Sequence, residues 1–127
     1  MYVTDTHSFL WHLQNDKKLS GKAKSIFELC DNGNEVIIIP SIALIESLYI
    51  CEKKKIEMEF QQILKKLKDA SNYHVYPLDE EVVFRCSTIK LKEPHDRIIV
   101  ATARLLGAPL ITNDRSIKES MIIDTVW

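Results

Sequence analysis

Four acidic residues lie at positions in the chain where an α/β fold could bring their carboxylates together. They are Asp5, Glu46, Asp96 and Asp114. They are far apart in the sequence, so only folding could gather them. Clustered carboxylates repel one another, and a bound divalent cation removes that cost. Because all the ligands would be oxygens, Mg²⁺ or Mn²⁺ would be favoured over zinc.

Each of these residues also has a purely structural explanation. Asp5 and Asp96 could each cap a helix, since aspartate accepts hydrogen bonds from free N–H groups in the first turn. Asp114 could be a turn residue. Glu46 could be an exposed helix residue paired with a lysine. Their residue types alone therefore leave both interpretations open.

Composition indicates an ordinary globular protein. The 127 residues fit a single domain, 1–127, with 46% hydrophobic residues, three Gly and four Pro. Seventeen Lys and Arg against eighteen Asp and Glu give a net charge of −1. This balance disfavours a protein that coats nucleic acid by charge alone. It permits an enzyme whose acidic site is screened by metal ions.

Cysteine usage and the apolar runs indicate the cellular setting. Cys30, Cys51 and Cys86 are odd in number and lack CxxC spacing, so a disulfide framework is excluded and a structural zinc site is disfavoured. The apolar run Val36–Pro40 is too short to span a membrane, and the first residues lack the pattern of a signal peptide. We therefore expect a cytoplasmic protein without a membrane segment.

Strands and helices alternate along the chain. Five short segments are predicted as strands: Tyr2–Asp5, Glu35–Ile39, His74–Pro77, Pro109–Thr112 and Met121–Asp124. Apolar residues at helical spacing predict helices between them, beginning near Asp5, Ser20, Ser41, Ile56, Asp79, His95 and Asp114. The run Glu35–Ile39 lacks apolar–polar alternation, which favours a strand covered on both faces. The pattern predicts a three-layer α/β/α domain with a central, mainly parallel sheet.

Two predicted helices have specified buried faces. In the helix that Ser41 would cap, the predicted apolar face consists of Ile42, Ile45, Leu48 and Tyr49. Glu46 lies off that face. In the helix spanning Ile56 to Ala70, it consists of Phe60, Ile63, Leu64 and Leu67.

This architecture places the acidic residues at one edge of the sheet. Asp5 closes the first strand, and Asp114 follows the Pro109–Thr112 strand. In open parallel sheets the carboxyl ends of the strands carry the functional site. Asp96 falls in the first turn of its helix. The sequence thus favours one acidic site over four unrelated carboxylates.

Four segments resemble bacterial PIN-domain toxins of the VapC-like group. Asp5–Trp11 is similar to their opening D-T-H-x-x-L-W, and Ser41–Leu48 to the helix that holds the family's glutamate. His95–Ala103 resembles H-D-R-I-I-x-A-T-A. Leu110–Asp114, followed by Ile117, resembles L-I-T-x-D-x-x-I. The segments come in the right order and cover the whole chain.

The resemblance implies a metal-dependent ribonuclease that cleaves RNA with water and leaves 5′-phosphate ends. The family's four acidic metal positions fall on Asp5, Glu46, Asp96 and Asp114, with Mg²⁺ or Mn²⁺ as cofactor. Around Glu46 the pattern departs from the family, because Ser47 stands where an aliphatic residue normally follows. Glu52 is a poorer substitute for Glu46.

The resemblance also implies partners: a cognate antitoxin that blocks the acidic groove and a second copy in a homodimer. RNA must also be held by cations. Arg97 and Arg115 are the preferred phosphate contacts because each directly follows a site aspartate. Further candidates are Lys17, Lys18, Lys22, Lys24, Arg104 and Lys118.

Two alternatives compete with the nuclease. One is a PIN-fold binding module without catalysis, against which the intact acidic positions count. The other is a phosphate-accepting domain of receiver type, which also gathers Asp around Mg²⁺. That fold needs an acidic pair after its first strand, an acceptor Asp after its third strand and a late lysine. Here Asp5 has no acidic neighbour, and the Val36–Ile39 strand is followed by Pro40 and Ser41.

Overall fold

The computed structural model describes all 127 residues. Five strands form the sheet: β1 (Tyr2–Thr4), β2 (Ile37–Pro40), β3 (Tyr73–Tyr76), β4 (Leu110–Ile111) and β5 (Thr125–Val126). Seven helices connect them: α1 (Thr6–Leu13), α2 (Gly21–Asp31), α3 (Ser41–Glu52), α4 (Phe60–Asp69), α5 (Glu80–Cys86), α6 (Pro94–Leu106) and α7 (Arg115–Ser120). No helix is both long and apolar enough to cross a membrane.

All neighbouring strands run parallel, in the order β3-β2-β1-β4-β5. The first strand therefore lies at the centre, between β2 and β4. In the receiver-type order the first strand lies between the second and the third. The topology thus differs from that alternative. It also puts the carboxyl ends of β1 and β4 side by side.

Helices cover both faces of the sheet, and each face has its own apolar core. Ile37 and Ile39 point into one core, with Phe9, Phe27 and Ile63 among its members. Successive side chains of a strand point to opposite faces. Ile38 accordingly belongs to the other core, which β1, β4 and α6 share. The three-layer α/β/α fold predicted from the sequence is confirmed, and the unalternating Glu35–Ile39 run is explained.

The buried face predicted for α3 is wrong. Ile45 and Tyr49 are exposed, at 49% and 58%, while Ala43 and Ser47 are fully buried. Eight of the twelve residues of this helix are apolar and they are spread around it, so helical spacing does not single out one face. The small residues face inward, and the Ser47 hydroxyl donates to the Ala43 carbonyl at 2.7 Å.

Three further boundaries differ from the prediction. Ser41 is the first residue of α3 and not its cap, and its hydroxyl accepts from the Leu78 N–H at 3.1 Å. Helix α4 begins at Phe60 because Gln62 accepts the Glu59 N–H at 2.8 Å, which fixes the start there. Strand β5 lies beyond the predicted segment, since Met121 ends α7 in a left-handed conformation.

The face of α4 gives a stability test. Replacing the fully buried Ile63 with Ala should lower the free energy of unfolding by about 2–4 kcal/mol, because it leaves a cavity. Leu64, predicted to lie on the buried face of this helix, is instead 38% exposed, so the matched Leu64→Ala change should cost under ~1 kcal/mol. Urea unfolding followed by circular dichroism measures both. Equal losses would show that α4 packs by a different face.

Candidate active site

Asp5 connects the end of β1 to the start of α1 and to the neighbouring strand. One carboxylate oxygen, Oδ1, accepts the Ser8 N–H at 2.8 Å and caps α1. The other, Oδ2, accepts the hydroxyl of Thr112, which directly follows β4. The structural explanation for Asp5 therefore holds, but it uses only one of the two oxygens.

Asp114 occupies an equivalent place at the end of the neighbouring strand. Its Oδ1 caps α7 by accepting the Ile117 N–H at 2.9 Å and the Ser116 hydroxyl at 2.7 Å. Its own N–H donates to the Thr112 hydroxyl oxygen at 3.0 Å. Thr112 is fully buried and contacts both aspartates.

Glu46 reaches the same region from α3. The buried Thr6 hydroxyl donates to Glu46 Oε1 at 2.6 Å. His95 Nδ1 lies 3.4 Å from Glu46 Oε2, so both oxygens have a polar neighbour. Glu52, the poorer substitute considered from the sequence, is exposed at the end of α3 and does not line this site.

Asp96 lies in the first turn of α6 and accepts no hydrogen bond in the structure. Burial first, and then the nearby carboxylates led by Asp114, raise its pKa to about 6. Burial also raises the pKa of Asp5, and this outweighs the hydrogen bonds from Ser8 and Thr112. Acidic groups with raised pKa values in one cleft are typical of functional sites.

The four predicted carboxylates line one open cavity of about 380 Å³. Six other residues complete its lining: Thr6, His7, Trp11, Glu93, Ile99 and Asn113. The fold therefore brings Asp5, Glu46, Asp96 and Asp114 together at the carboxyl edge of the sheet. Their individual roles in catalysis stay predictions.

The chemistry of this cavity fits a hard cation. Its acidic lining offers carboxylate oxygens, and it contains no thiol. The oxygens are not gathered around one point, since no group of three acidic, histidine or cysteine side chains is arranged to hold a metal as it stands. Several of them are engaged by Thr6, Thr112 and the helix caps.

The two arginines predicted to contact RNA do not line the cavity. The Arg97 side chain donates to the Leu91 carbonyl and lines a separate, apolar pocket beside Cys86. Arg115 is 89% exposed and pairs with Glu119 on the outer side of α7, at 2.7 Å.

Sequence reasoning did not assign a role to three residues that shape the site. Thr112 and Thr6 hold carboxylates, yet a buried threonine gives no signal that separates it from an ordinary β-strand or helix residue. Glu93 adds a fifth carboxylate to the cavity. Its signal was its position just before the Pro94–Leu106 helix that carries Asp96.

Several solved protein structures have a similar fold. Among solved structures, one similar chain is from a "Toxin-antitoxin complex from Klebsiella pneumoniae", with a TM-score of 0.72 and 21% identity over 100% of this chain and 97% of that chain. Another is from the crystal structure of VapBC2 from Rickettsia felis bound to a promoter DNA fragment, with a TM-score of 0.74 and 20% identity over 98% and 96%. A third, FitAcB from Neisseria gonorrhoeae, has a TM-score of 0.72 and 15% identity over 100% and 97%.

At these identities the solved structures show a shared fold. No curated protein sequence matches the chain. The sequence model of the PIN domain, in contrast, matches residues 2–120, which include every strand except β5 and all five cavity carboxylates. The protein therefore belongs to the PIN domain family.

Proposed function

We propose that the protein is a Mg²⁺- or Mn²⁺-dependent endoribonuclease and the toxin of a VapBC-type toxin–antitoxin pair. The convergence of Asp5, Glu46, Asp96 and Asp114 in one cavity carries the proposal. Membership of the PIN family and the likeness to toxin–antitoxin structures support it.

The residues would divide the work of phosphodiester hydrolysis. Asp5, Asp96 and Asp114 would hold the cation, which when bound supplies positive charge at the scissile phosphate and activates water for in-line attack. Glu46, fixed by the Thr6 hydroxyl, would either complete the ligand set or orient the attacking water. Because the pKa of Asp96 is about 6, protons would compete with the cation for this carboxylate as the pH falls below that value.

Partners follow from the same site. A cognate antitoxin would place a basic side chain in the acidic cavity, because unneutralised carboxylates attract cations of any kind. A homodimer would cover exposed apolar side chains, which include Ile45 and Tyr49 on α3 and Val83 and Phe84 on α5. We propose the cytoplasm as the compartment in which toxin, antitoxin and RNA meet.

Removing one carboxylate should stop cleavage. Asp5→Asn keeps an oxygen to accept the Ser8 N–H, so the cap on α1 survives, but the charge that attracts the cation is lost. We expect cleavage of single-stranded RNA in Mg²⁺ to fall by more than ~100-fold, the upper range for partners that only support a ligand. The metal-free melting temperature should stay the same or rise.

Glu52→Gln is the matched control, because it removes an acid from α3 outside the cavity and should leave cleavage unchanged. EDTA should abolish the activity of both the wild type and this control. Retained Mg²⁺-dependent cleavage in Asp5→Asn would remove Asp5 from the site. Cleavage by no form of the protein, with or without Mg²⁺, would favour a binding module.

Carboxylate repulsion predicts a pH-dependent gain in stability for Asp96→Asn. The pKa of Asp96 is about 6 in the fold against an ordinary 3.8, so ionisation destabilises the wild type as pH rises through that interval. In metal-free buffer at pH 8 the variant should be more stable by on the order of 1 kcal/mol, a value discounted for solvent screening.

At pH 3 or below this difference should nearly vanish, because the wild-type carboxyl is then mostly protonated in both the folded and the unfolded chain. Denaturant unfolding at the two pH values measures the change. A variant that is less stable than the wild type at pH 8 would contradict the repulsion at this position.

A further inference from the structure

One wall of the acidic cavity is aromatic. His7 and Trp11 lie one turn apart on α1, with ring centroids 5.9 Å apart and planes inclined by 31°. Trp127 meets Trp11 edge to face at 5.7 Å. These three rings, the aromatic ladder, extend from the apolar core to the cavity, which His7 and Trp11 line.

The fold does not require the outer end of this ladder. Trp11 and Trp127 pack against the core, but His7 is exposed. The His7 ring makes no hydrogen bond and no ion pair in the structure; its contact is with Trp11. An aromatic ring in this position is therefore free to contact a ligand in the cavity.

Charge decides which part of a polynucleotide suits this wall. The cavity carboxylates repel phosphates, whereas a nucleobase is uncharged and stacks on aromatic rings. Lys18 adds a cation where a flanking phosphate needs one, because its Nζ lies 5.9 Å from the Trp11 ring centroid and forms no ion pair. The phosphate would then be attracted by Lys18, next to Trp11, and not by the cavity itself.

The dimensions of the cavity favour a single unpaired nucleotide. A volume of about 380 Å³ is far too small for a duplex. Proteins that read single-stranded RNA commonly splay a base out and stack it on aromatic side chains. A base held against His7 and Trp11 would leave its adjoining phosphate next to the carboxylates.

We propose that His7 and Trp11 stack one nucleobase of single-stranded RNA and so position the neighbouring phosphodiester at the acidic site, with Lys18 binding a flanking phosphate. This inference rests on the proposed ribonuclease function and specifies how that site holds its substrate. His7 is a positioning residue in this account. His7 would position the base through the stacking of its aromatic ring, and not through a charge or a hydrogen bond.

Two probes separate base stacking from phosphate binding: a fluorescein-labelled ten-nucleotide oligouridine and a ribose-phosphate oligomer of equal length without bases. Fluorescence anisotropy would give each Kd in Ca²⁺, which takes the oxygen ligands that Mg²⁺ takes, with probe integrity checked on a gel. The wild type should bind oligouridine about tenfold more tightly than the abasic oligomer. Oligouridine should quench the tryptophan emission of the protein, whereas the abasic oligomer should not.

Variants at His7 test the role of the ring. His7→Leu should lose most of the preference for oligouridine, while His7→Phe should retain it. His74→Leu, at an exposed histidine on β3 outside the cavity, is the matched control and should behave as the wild type. Equal binding of both probes by the wild type, an intact preference in His7→Leu or its loss in His7→Phe would each overturn the inference.

Lys18 should contribute to both probes alike. Lys18→Gln should weaken oligouridine and abasic binding by the same factor and lower the salt slope by about 1. Lys55→Gln, at an exposed lysine between α3 and α4 outside the cavity, should do neither. A loss confined to oligouridine, or an equal effect of Lys55→Gln, would contradict the placement of the phosphate.

The cleavage assay keeps the two proposals apart. Mg²⁺-dependent cleavage by the wild type, together with equal binding of both probes, would overturn base stacking and leave the nuclease standing. A base preference that depends on the His7 ring, without any cleavage, would instead support an RNA-binding module on this fold.

Discussion

The proposed site depends on the mutual repulsion of carboxylates that the fold holds close together. Asp96 has no hydrogen bond and lies in partial burial beside Asp114, Glu93 and Glu46, which raises its pKa to about 6. Folding alone gives no reason to gather these charges, since each could be solvated separately. The ends of β1 and β4 lie side by side and bring Asp5 and Asp114 together, while α3 supplies Glu46 and the start of α6 supplies Glu93 and Asp96. A cation at this edge turns an unfavourable arrangement into a binding site.

Structural and chemical roles coincide at the two strand-end aspartates. Asp5 and Asp114 each cap a helix with one oxygen, and both contact the hydroxyl group of Thr112. The caps fix the side chains at the site, so the two explanations weighed from the sequence are compatible. A carboxylate held in this way loses little conformational entropy when it binds a ligand.

The success of sequence reasoning varied with the strength of the local signal. The unalternating Glu35–Ile39 run predicted a strand buried on both faces, and therefore a sheet between two layers of helices. The aspartates at the ends of two strands predicted an acidic edge, because the carboxyl ends of parallel strands meet at one edge of the sheet. The buried face of α3 could not be predicted, because its apolar residues are spread around the helix and packing selected the small residues Ala43 and Ser47. The direction in which a side chain points could not be predicted from the sequence either. Arg97 follows a site aspartate, yet one step along a helix turns it by about 100° toward another pocket.

A crystal structure of the protein with Mn²⁺ tests the central claim most directly, because anomalous scattering locates the ion without assumptions. The account predicts an anomalous peak in the acidic cavity within about 2.3 Å of oxygens from at least two of Asp5, Asp96 and Asp114. A cavity without a peak at saturating Mn²⁺, with those carboxylates still apart, would contradict it.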